Sequence, residues 1–414
     1  MATVDEDKGG LFFLYGHGGT GKTFIWKTLL SCIRSRGDIV LTVISSGIAC
    51  LLLPGGRTSH SRFVIPLNPT EDATRNIKQG SPLANLIVKT KLIIWDEAPM
   101  MQRYYFEALD QTLKDILRFK NTSSLDKPFG GKTIVLGGDF RQILPVITKE
   151  TSSIDGIETI QIPDDLLIKD CVDPILEIVK SMYPDFYSHS RDLDYLQQRA
   201  ILAPTLDMVE SINDFMVSLN HNSEKTYLSS DTVCRSDHSF MALEHVHTPE
   251  FLNSIKCSGI PNHSITLKIG VPIILLRNID QSSGLCKGTR LIITRLRNRV
   301  IEAKVLSGKM AGEKVFIPRM SLIPSDARIP FKFQQRQFPI IVSFSMTINK
   351  SQGQSLSHVG LFFKKSMFTH GQLYIALSRV TSRKGLKILA CDDEGKITNE
   401  VKNIVYKKGF RNLV

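Results

Sequence analysis

The chain has 414 residues, of which 42% are hydrophobic and 22% charged, the balance of a globular protein with roughly two or three domains. No apolar stretch approaches the ~20 residues of a membrane span. The short acidic N-terminus has the features of neither a signal peptide nor a transit peptide, so we expect no membrane association. The net charge of +12 and the pI of about 9.3 favour a polyanionic partner, nucleic acid first.

The positive charge is concentrated in one part of the chain. Residues 255–390, called the basic third below, hold 22 Lys and Arg and 4 Asp and Glu, a net charge of +18 that leaves −6 for the remainder. Such a segment is typical of a nucleic-acid groove, although a solvated basic face has the same composition.

The cysteine and histidine patterns argue against disulfides and zinc. Seven cysteines are scattered without a Cys-x-x-Cys pair, as expected for reduced thiols of an intracellular protein. His245 and His247 are the one close histidine pair, and no such cysteine pair accompanies them. We therefore expect exposed histidines there, not a zinc site.

A phosphate-binding loop is the strongest motif in the chain. It follows the apolar run Leu11–Tyr15, which predicts a buried parallel strand, and it precedes a helical pattern over 24–30. Its glycines allow backbone N–H groups to face phosphates, so the motif predicts nucleotide binding, with Lys22 on the β/γ-phosphates and Thr23 on Mg²⁺. The motif G-x-x-x-x-G-K-[ST] consists of Gly16, His17, Gly18, Gly19, Thr20, Gly21, Lys22 and Thr23.

Apolar runs alternate with helical segments in the first third of the chain. The runs at 40–44, 92–95 and 133–136 each precede small or acidic residues, which is typical of a parallel α/β sheet with its site at the strand C-termini. We predict a first α/β domain over 1–150 and an acidic connector over 151–198.

The alternation resumes with a strand at 199–205 and a helix from Leu206 to Asn213. A second α/β domain is predicted over 199–264 and 336–414. It includes apolar runs at 340–344 and 386–389.

The intervening residues 265–335 predict a small all-β insertion. Arg295, Arg297 and Arg299 alternate there, so in a strand they would share one face. That face would either contact a nucleic-acid backbone or be solvated. The β-branched runs of the insertion are 271–276, 289–294, 300–305 and 314–317.

Two carboxylates follow the apolar run at 92–95. At the end of a buried strand, Asp96 suits Mg²⁺, directly or through water. Glu97 suits polarising an attacking water. An Asp-Glu pair alone is common, and its combination with the phosphate loop is what makes it informative.

Two further patterns are weaker taken singly. Gly137–Gln142 ends another strand, where Gln142 could sense the γ-phosphate, although a strand-to-loop turn explains the pattern nearly as well. Within residues 371–380, Arg379 on a helix could act as an arginine finger in cis, although a surface salt bridge is favoured in isolation.

Five motifs stand in the order of superfamily 1 helicase motifs. The chain resembles the 5′→3′ DNA helicases of the petite-integration-frequency (Pif) family over nearly its whole length. The residues at 93–100, 347–355 and 376–382 resemble the plant branch related to Helitron transposon helicases. The five motifs are Gly16–Thr23, Trp95–Ala98, Gly137–Gln142, Thr347–Gln354 and Tyr374–Arg379.

The resemblance implies two RecA-like phosphate-loop NTPase domains that sandwich ATP and Mg²⁺, with an SH3-like module over 265–335. It also implies a monomer that binds single-stranded DNA and duplex junctions, and such partners suggest a nuclear location. By motif match, the ATPase residues are Lys22, Thr23, Asp96, Glu97, Gln142 and Arg379.

DNA-binding roles are implied for five residues. His60 matches a motif that contacts the DNA strand, and Tyr374 matches a DNA-facing helix. Thr347, Lys350 and Gln352 match a motif that links DNA to the nucleotide. Such grooves combine positive charge with stacking on bases and ignore base sequence.

Two parts of the family pattern are missing. Family members carry an adenine-reading glutamine before the phosphate loop, and here no Gln precedes Gln79. They also carry an arginine that faces the γ-phosphate in a segment where this chain has no Arg between Arg141 and Arg191. We interpret the chain as a truncated copy. The hypotheses are an active ATP-dependent DNA helicase and a remnant that binds nucleic acid with little or no ATPase activity.

Overall fold

The computed structural model describes residues 2–405 except 7, 46, 67–76, 143–156, 170–171, 191, 235–247, 258, 282, 307, 309, 325–328, 330, 365–368 and 393. The predicted histidine pair at 245 and 247 lies outside the described residues. The chain forms two compact units. Unit 1 comprises Met1–Thr159, Met367–Ser378 and Lys402–Val414, and unit 2 comprises Ile160–Ser366 and Arg379–Val401.

The strands are β1 (Gly10–Tyr15), β2 (Ile39–Ile44), β3 (Arg57–Thr58), β4 (Thr90–Asp96), β5 (Thr133–Gly138), β6 (Ile157–Gln161), β7 (Arg199–Ala203), β8 (Glu224–Leu228), β9 (Ser230–Val233), β10 (Ser264–Lys268), β11 (Pro272–Leu275), β12 (Arg290–Leu296), β13 (Val300–Val305), β14 (Lys314–Pro318), β15 (Met320–Leu322), β16 (Phe333–Gln337), β17 (Ile340–Val342), β18 (Ser345–Thr347), β19 (His358–Phe363), β20 (Leu386–Ala390) and β21 (Glu400–Ile404).

The α-helices are α1 (Ala2–Asp5), α2 (Lys22–Arg34), α3 (Ser59–Phe63), α4 (Pro82–Lys89), α5 (Arg103–Leu117), α6 (Pro174–Met182), α7 (Phe186–His189), α8 (Leu193–Gln197), α9 (Leu206–Leu219), α10 (Pro249–Ser254) and α11 (Gln372–Leu377). None is long and apolar enough to cross a membrane, as far as the chain is described.

Unit 1 is built on a five-stranded parallel sheet in the order β1-β5-β4-β2-β3. The near-continuous apolar run of β4 is buried on both faces. Trp26 and Leu30 of α2 lie in the same core cluster as Ile94, whereas Leu109 of α5 clusters with Trp95. The predicted strands at 40–44, 92–95 and 133–136 are confirmed, and their C-terminal ends share one edge of the sheet.

The strand before the phosphate loop differs from the prediction. β1 is parallel to β5, as expected, but it lies at the edge of the sheet and is not buried. Leu11, Phe12 and Phe13 are 51%, 47% and 40% exposed. A short apolar run has the same pattern at the centre and at the edge of a sheet, so periodicity alone does not distinguish the two positions.

Unit 2 contains a four-stranded parallel sheet in the order β18-β7-β19-β20. The predicted strands at 199–205 and 386–389 are confirmed, and the helix predicted over 206–213 continues to Leu219. The Asn213 side chain of α9 donates to the Val342 and Ser345 carbonyls, both at 3.1 Å, and accepts from the Ser345 N–H at 2.8 Å. These bonds hold the chain where β18 begins.

The predicted strand at 340–344 is divided between two sheets. Residues 340–342 form β17, which pairs antiparallel with β11, and the parallel sheet resumes only at Ser345. The prediction that 340–344 belongs to the parallel sheet was therefore wrong. Both segments are short and at least partly buried, so the local sequence does not show which sheet each one joins.

The β-rich part of unit 2 contains an antiparallel sheet in the order β14-β13-β12-β11-β17. The four predicted runs correspond to β11, β12, β13 and β14. Further strands from 224–233 pair with β10 and β16. Because β12 ends at Leu296, Arg297 and Arg299 lie in the turn to β13, and only Arg295 is on the strand. The prediction that the three arginines share one face of a strand was therefore wrong. All three side chains are nevertheless exposed.

A buried arginine joins this antiparallel sheet to the parallel sheet of unit 2. Arg290 of β12 is 3% exposed and donates to the carbonyls of Leu196, Arg199 and Ser343 at 3.1–3.3 Å. Burial lowers the pKa of its guanidinium. No carboxylate pairs with it among the described residues.

Arg290→Met is expected to lower the free energy of unfolding by about 2–5 kcal/mol, because the aliphatic stem remains while several buried carbonyls lose their donor. Urea unfolding followed by circular dichroism measures the change. Arg295→Met, an exposed arginine on the same strand, is the matched control and should change stability by no more than about 0.5 kcal/mol. Equal effects of the two substitutions would contradict the assigned role of Arg290.

Candidate nucleotide site and nucleic-acid interface

The phosphate loop connects the end of β1 to the first turn of α2. Gly19 and Gly21 have φ of +82° and +86°, a left-handed conformation that favours glycine. A Cβ atom at either position would meet nothing within 4 Å, so the loop is open. The Lys22 ammonium donates to the Gly16 and His17 carbonyls at 2.5 and 2.9 Å. The predicted lysine therefore lies against its own loop at the N-terminus of a helix, where anions bind.

Three strand ends bring the predicted ATPase residues of unit 1 to one edge of the sheet. The Gly16 N–H donates to the Gly138 carbonyl at 3.3 Å, which joins the phosphate loop to the end of β5. Asp96 ends β4, the next strand in the sheet. A Cβ atom at Gly137 would lie 2.3 Å from the Trp26 ring and 3.1 Å from Asp96 Oδ1, so only glycine fits between them.

The Asp96 carboxylate has the properties of a cation ligand. Its Oδ1 is buried and has no hydrogen-bond partner among the described residues. Burial raises the pKa of this carboxyl, while the Glu97 N–H, the nearby Trp26 indole N–H and the Lys22 charge act in the opposite direction. An uncompensated carboxylate oxygen fits Mg²⁺, which is held by one or two carboxylates together with substrate phosphates. No cluster of three or more His, Cys, Asp or Glu that could hold a metal ion occurs in the described part of the chain.

The other predicted ATPase residues occupy different settings. Glu97 has φ of +55°, a strained conformation that is frequent at functional sites. Gln142 is 4% exposed, and its N–H donates to the Asp139 carbonyl at 3.2 Å. Arg379 belongs to unit 2, two residues beyond the end of α11, and donates to the Gln354 carbonyl at 3.1 Å. Arg379 is therefore not on the helix itself.

His60 is positioned by a residue that the sequence analysis did not identify. It lies in α3, which Thr58 caps by accepting from the Ser61 N–H. Its Nε2 is 3.0 Å from the Tyr105 hydroxyl of α5, and the two rings make an edge contact at 4.9 Å between centroids. Tyr105 lies 45 residues away, so no local pattern indicates the contact.

Three further predicted DNA residues lie around the turn that follows β18 in unit 2. Thr347 precedes the 3-10 turn Ile348–Ser351, and Gln352 is 6% exposed. Burial, and to a smaller extent the charge of Lys287, lower the pKa of the Lys350 ammonium to about 8, although the charge of Glu210 acts in the opposite direction. A desolvated ammonium beside a second cation is a favourable place for an anion such as a phosphate.

Tyr374 is found on the nucleotide side of unit 1. Its hydroxyl donates to Asp139 Oδ2 at 2.7 Å. Its predicted contact with DNA stays a prediction. Asp139 is part of a sequence motif, but its contact with Tyr374 has no local signal because 235 residues separate the two partners.

The fold and the site define a class. A parallel sheet that brings a phosphate loop, an Asp-Glu pair and a third polar loop to one edge, together with a second unit on another parallel sheet, is the architecture of RecA-like phosphate-loop NTPases. Residues 1–182 match the family model for PIF1-like helicases, and residues 250–296 match the 2B domain of DNA helicase Pif1. The chain belongs to the PIF1-like helicase family. The predicted family and fold class are confirmed, and the plant branch and the truncation stay predictions.

Several named relatives are similar along most of the chain. ATP-dependent DNA helicase PIF6 of Trypanosoma brucei brucei is 24% identical over 434 residues, covering 96% of this chain and 53% of that protein. ATP-dependent DNA helicase PIF1 of Homo sapiens is 24% identical over 413 residues, covering 93% and 59%. Pif1 of Bdellovibrio bacteriovorus is 24% identical over 424 residues, covering 97% and 89%. The chain thus spans little more than half the length of the first two.

Solved structures show the same fold. Bacteroides Pif1 bound to ssDNA has a TM-score of 0.62 and 22% identity, covering 96% of this chain and 93% of that one. Pif1 helicase from Candida albicans has a TM-score of 0.61 and 21% identity, covering 100% and 98%.

Proposed function

We propose that this chain is an ATP-dependent DNA helicase that couples ATP hydrolysis to 5′→3′ translocation on single-stranded DNA and to duplex unwinding. The proposal is carried by the meeting of the phosphate loop, Asp96–Glu97 and the Asp139–Gln142 loop at one edge of the unit 1 sheet. Its support includes relatives named ATP-dependent DNA helicases and a related structure bound to ssDNA.

In this proposal each residue has a chemical task. The loop N–H groups and Lys22 bind the β- and γ-phosphates of ATP. Thr23 and Asp96 would hold Mg²⁺, which neutralises phosphate charge when bound. Glu97 accepts the proton of the water that attacks the γ-phosphorus as the bond to the bridging oxygen breaks. Gln142 senses the γ-phosphate, and Arg379 adds positive charge to the transition state.

DNA would be bound by the remaining predicted residues and by the basic third. His60 supplies a ring for stacking, and Lys350 supplies positive charge to the phosphate backbone. A DNA partner favours a nuclear location, which imaging of the fluorescently tagged chain tests. The expected monomer stays a prediction, because a related structure holds two coordinating Pif1 helicases at forked dsDNA.

A nucleic-acid-binding remnant with little ATPase activity is the second candidate. The chain has no Arg between Arg141 and Arg191, and β1 exposes apolar side chains at the sheet edge. Loss of a transition-state arginine costs about 10³–10⁵ in turnover. These two observations favour the second candidate, in which the chain has little ATPase activity. The nucleotide-binding residues are nevertheless all present.

Lys22→Ala distinguishes nucleotide chemistry from DNA binding. We expect loss of measurable ATP hydrolysis, because the charge on the β/γ-phosphates is removed, with ssDNA affinity within about twofold of wild type. Colorimetric phosphate release and fluorescence anisotropy measure the two properties. Lys27→Ala, an exposed lysine on the same helix, is the control. DNA binding that disappears together with hydrolysis would contradict this division of roles.

Binding to ssDNA is expected to weaken as pH rises above about 8. The Lys350 ammonium, with its pKa lowered to about 8 by burial, is charged below that pH and loses its proton above it. A bound phosphate favours the charged form, so affinity falls by up to about tenfold for each pH unit above 8. Anisotropy titrations from pH 7 to 9.5 measure the profile.

Lys350→Arg is the matched control because arginine keeps its charge over this range. Its affinity should be nearly independent of pH. Identical pH profiles for wild type and Lys350→Arg would remove Lys350 from the DNA interface.

A further inference from the structure

The Tyr374 hydroxyl is bonded to one loop of the candidate nucleotide site and lies near another. It donates to Asp139 Oδ2 at 2.7 Å, and the Gly18 N–H of the phosphate loop is near enough to act on its pKa, which it lowers. Burial and the Asp139 carboxylate raise the pKa of Tyr374 to about 12, so the phenol remains protonated and keeps its donor near neutral pH. The hydroxyl is therefore bonded to the loop after β5 and lies near the phosphate loop.

The residues before Tyr374 contact the rest of the loop after β5. His370 Nε2 is 3.0 Å from the Phe140 carbonyl, which can only accept a hydrogen bond, so Nε2 is the donor. Gly371 has φ of +75°, and a Cβ atom there would lie 2.5 Å from the Arg141 carbonyl oxygen. Residues 370–374 thus fit closely against residues 139–142.

The shape of the 139–142 loop depends on the Asp139 carboxylate. Oδ1 accepts from the Arg141 N–H at 3.1 Å, and Oδ2 accepts from Tyr374. Gln142, the predicted γ-phosphate sensor, is three residues further on, and its N–H donates to the Asp139 carbonyl. A change at Asp139 therefore acts directly on the Tyr374 hydroxyl, and through it on α11.

We propose that Tyr374 is a positioning residue for ATP hydrolysis. Its hydroxyl couples the Asp139–Gln142 loop to α11, which ends two residues before Arg379. Through this coupling, the presence of the γ-phosphate affects the segment that contains Arg379. This inference rests on the proposed function and gives Tyr374 a role on the ATP side in place of a contact with DNA.

Tyr374→Phe removes this hydroxyl and leaves the ring. With saturating ssDNA, we expect kcat for ATP to fall about tenfold, as for loss of a hydrogen bond to a charged group, and KM to change less than about twofold. Tyr195→Phe is the matched control, since it removes a hydroxyl that donates to the Pro184 carbonyl, also at 2.7 Å, in unit 2. It should leave both constants unchanged.

A double-mutant cycle separates coupling from general destabilisation. Adding Asp139→Ala to Tyr374→Phe should lower kcat much less than Asp139→Ala does in the wild-type background, because the shared hydrogen bond is already absent. If the wild-type chain hydrolyses ATP, two results would overturn the proposal. One is an unchanged kcat in Tyr374→Phe, and the other is additive effects of the two substitutions in the cycle.

Amide hydrogen exchange tests the coupling without hydrolysis. The Mg²⁺ complex of adenylyl imidodiphosphate should change protection of residues 372–377 in wild type and in Tyr195→Phe, but not in Tyr374→Phe. Failure of wild type to hydrolyse ATP would remove the proposed activity, and this exchange comparison would still decide the inference. An equal response to the analogue in wild type and Tyr374→Phe would overturn it.

Discussion

Glu97→Gln is expected to lower ssDNA-stimulated ATP turnover by about 10²–10⁴-fold, the usual contribution of a general base. Glutamine keeps the shape of the side chain but cannot accept the proton of the attacking water. Glu97 follows the buried strand β4 at the edge that also carries the phosphate loop, and its φ of +55° is maintained by the surrounding fold. Nucleotide and DNA affinities should remain near wild type.

Glu107→Gln provides the matched control for this substitution. Glu107 lies on α5 in an exposed ion pair with Arg103, where the same change should leave turnover unaltered. Single-turnover phosphate release and equilibrium binding of a fluorescent ATP analogue measure chemistry and affinity separately. A Glu97→Gln protein with turnover within about threefold of wild type would exclude Glu97 as the base.

Raising the salt concentration from 50 to 200 mM is expected to weaken ssDNA binding by about 10²–10⁴-fold, if about six to ten phosphates are neutralised. The basis for this expectation is the composition of the basic third, which contains 22 Lys and Arg but only 4 Asp and Glu. Cations on the protein release counterions from the DNA, so the logarithm of affinity falls linearly with the logarithm of salt. Anisotropy titrations at four or more salt concentrations give the slope.

Substitution of the exposed arginines at the end of β12 and in the turn to β13 tests where the DNA phosphates bind. Replacing Arg295, Arg297 and Arg299 together by Gln should reduce the slope by about 0.7 for each DNA phosphate that the protein no longer neutralises. An unchanged slope would mean that these three side chains are solvated. A flat salt response of the wild-type chain would remove the electrostatic account of DNA binding altogether.

The sequence predicted four of the five strands in the unit 1 sheet, but not β3 and not the environment of β1. Local patterns identify an extended apolar run, and the phosphate loop after it fixes the strand direction. Which strand lies at the edge is decided by pairing between distant segments. Residues 10–15 pair with 133–138 on one side, and the described residues place no strand on the other.

The division of 340–347 between two sheets illustrates the same limit. β17 pairs with β11 and β18 pairs with β7, although only two residues separate β17 from β18. The side chain of Asn213, more than 100 residues earlier, bonds to the backbone on both sides of this change. No property of the local sequence encodes that partner.

The candidate site was predictable where one continuous motif carries the chemistry. The phosphate loop, Asp96 and Glu97 combine a strand with polar residues within a few positions, so pattern and geometry coincide. Tyr105 beside His60 and Tyr374 beside Asp139 were not predictable as contacts, since each pair is assembled from distant segments. The hydroxyl of a tyrosine also gives no sequence signal that distinguishes a DNA contact from a nucleotide-side contact.

The most direct test of the proposed function is steady-state ATP turnover with and without a single-stranded DNA oligonucleotide, with Glu97→Gln as the blank. The helicase proposal predicts turnover above the blank and strong stimulation by the DNA. Turnover no higher than the blank, with DNA binding retained, would contradict it and would identify a nucleic-acid-binding remnant of a PIF1-like helicase.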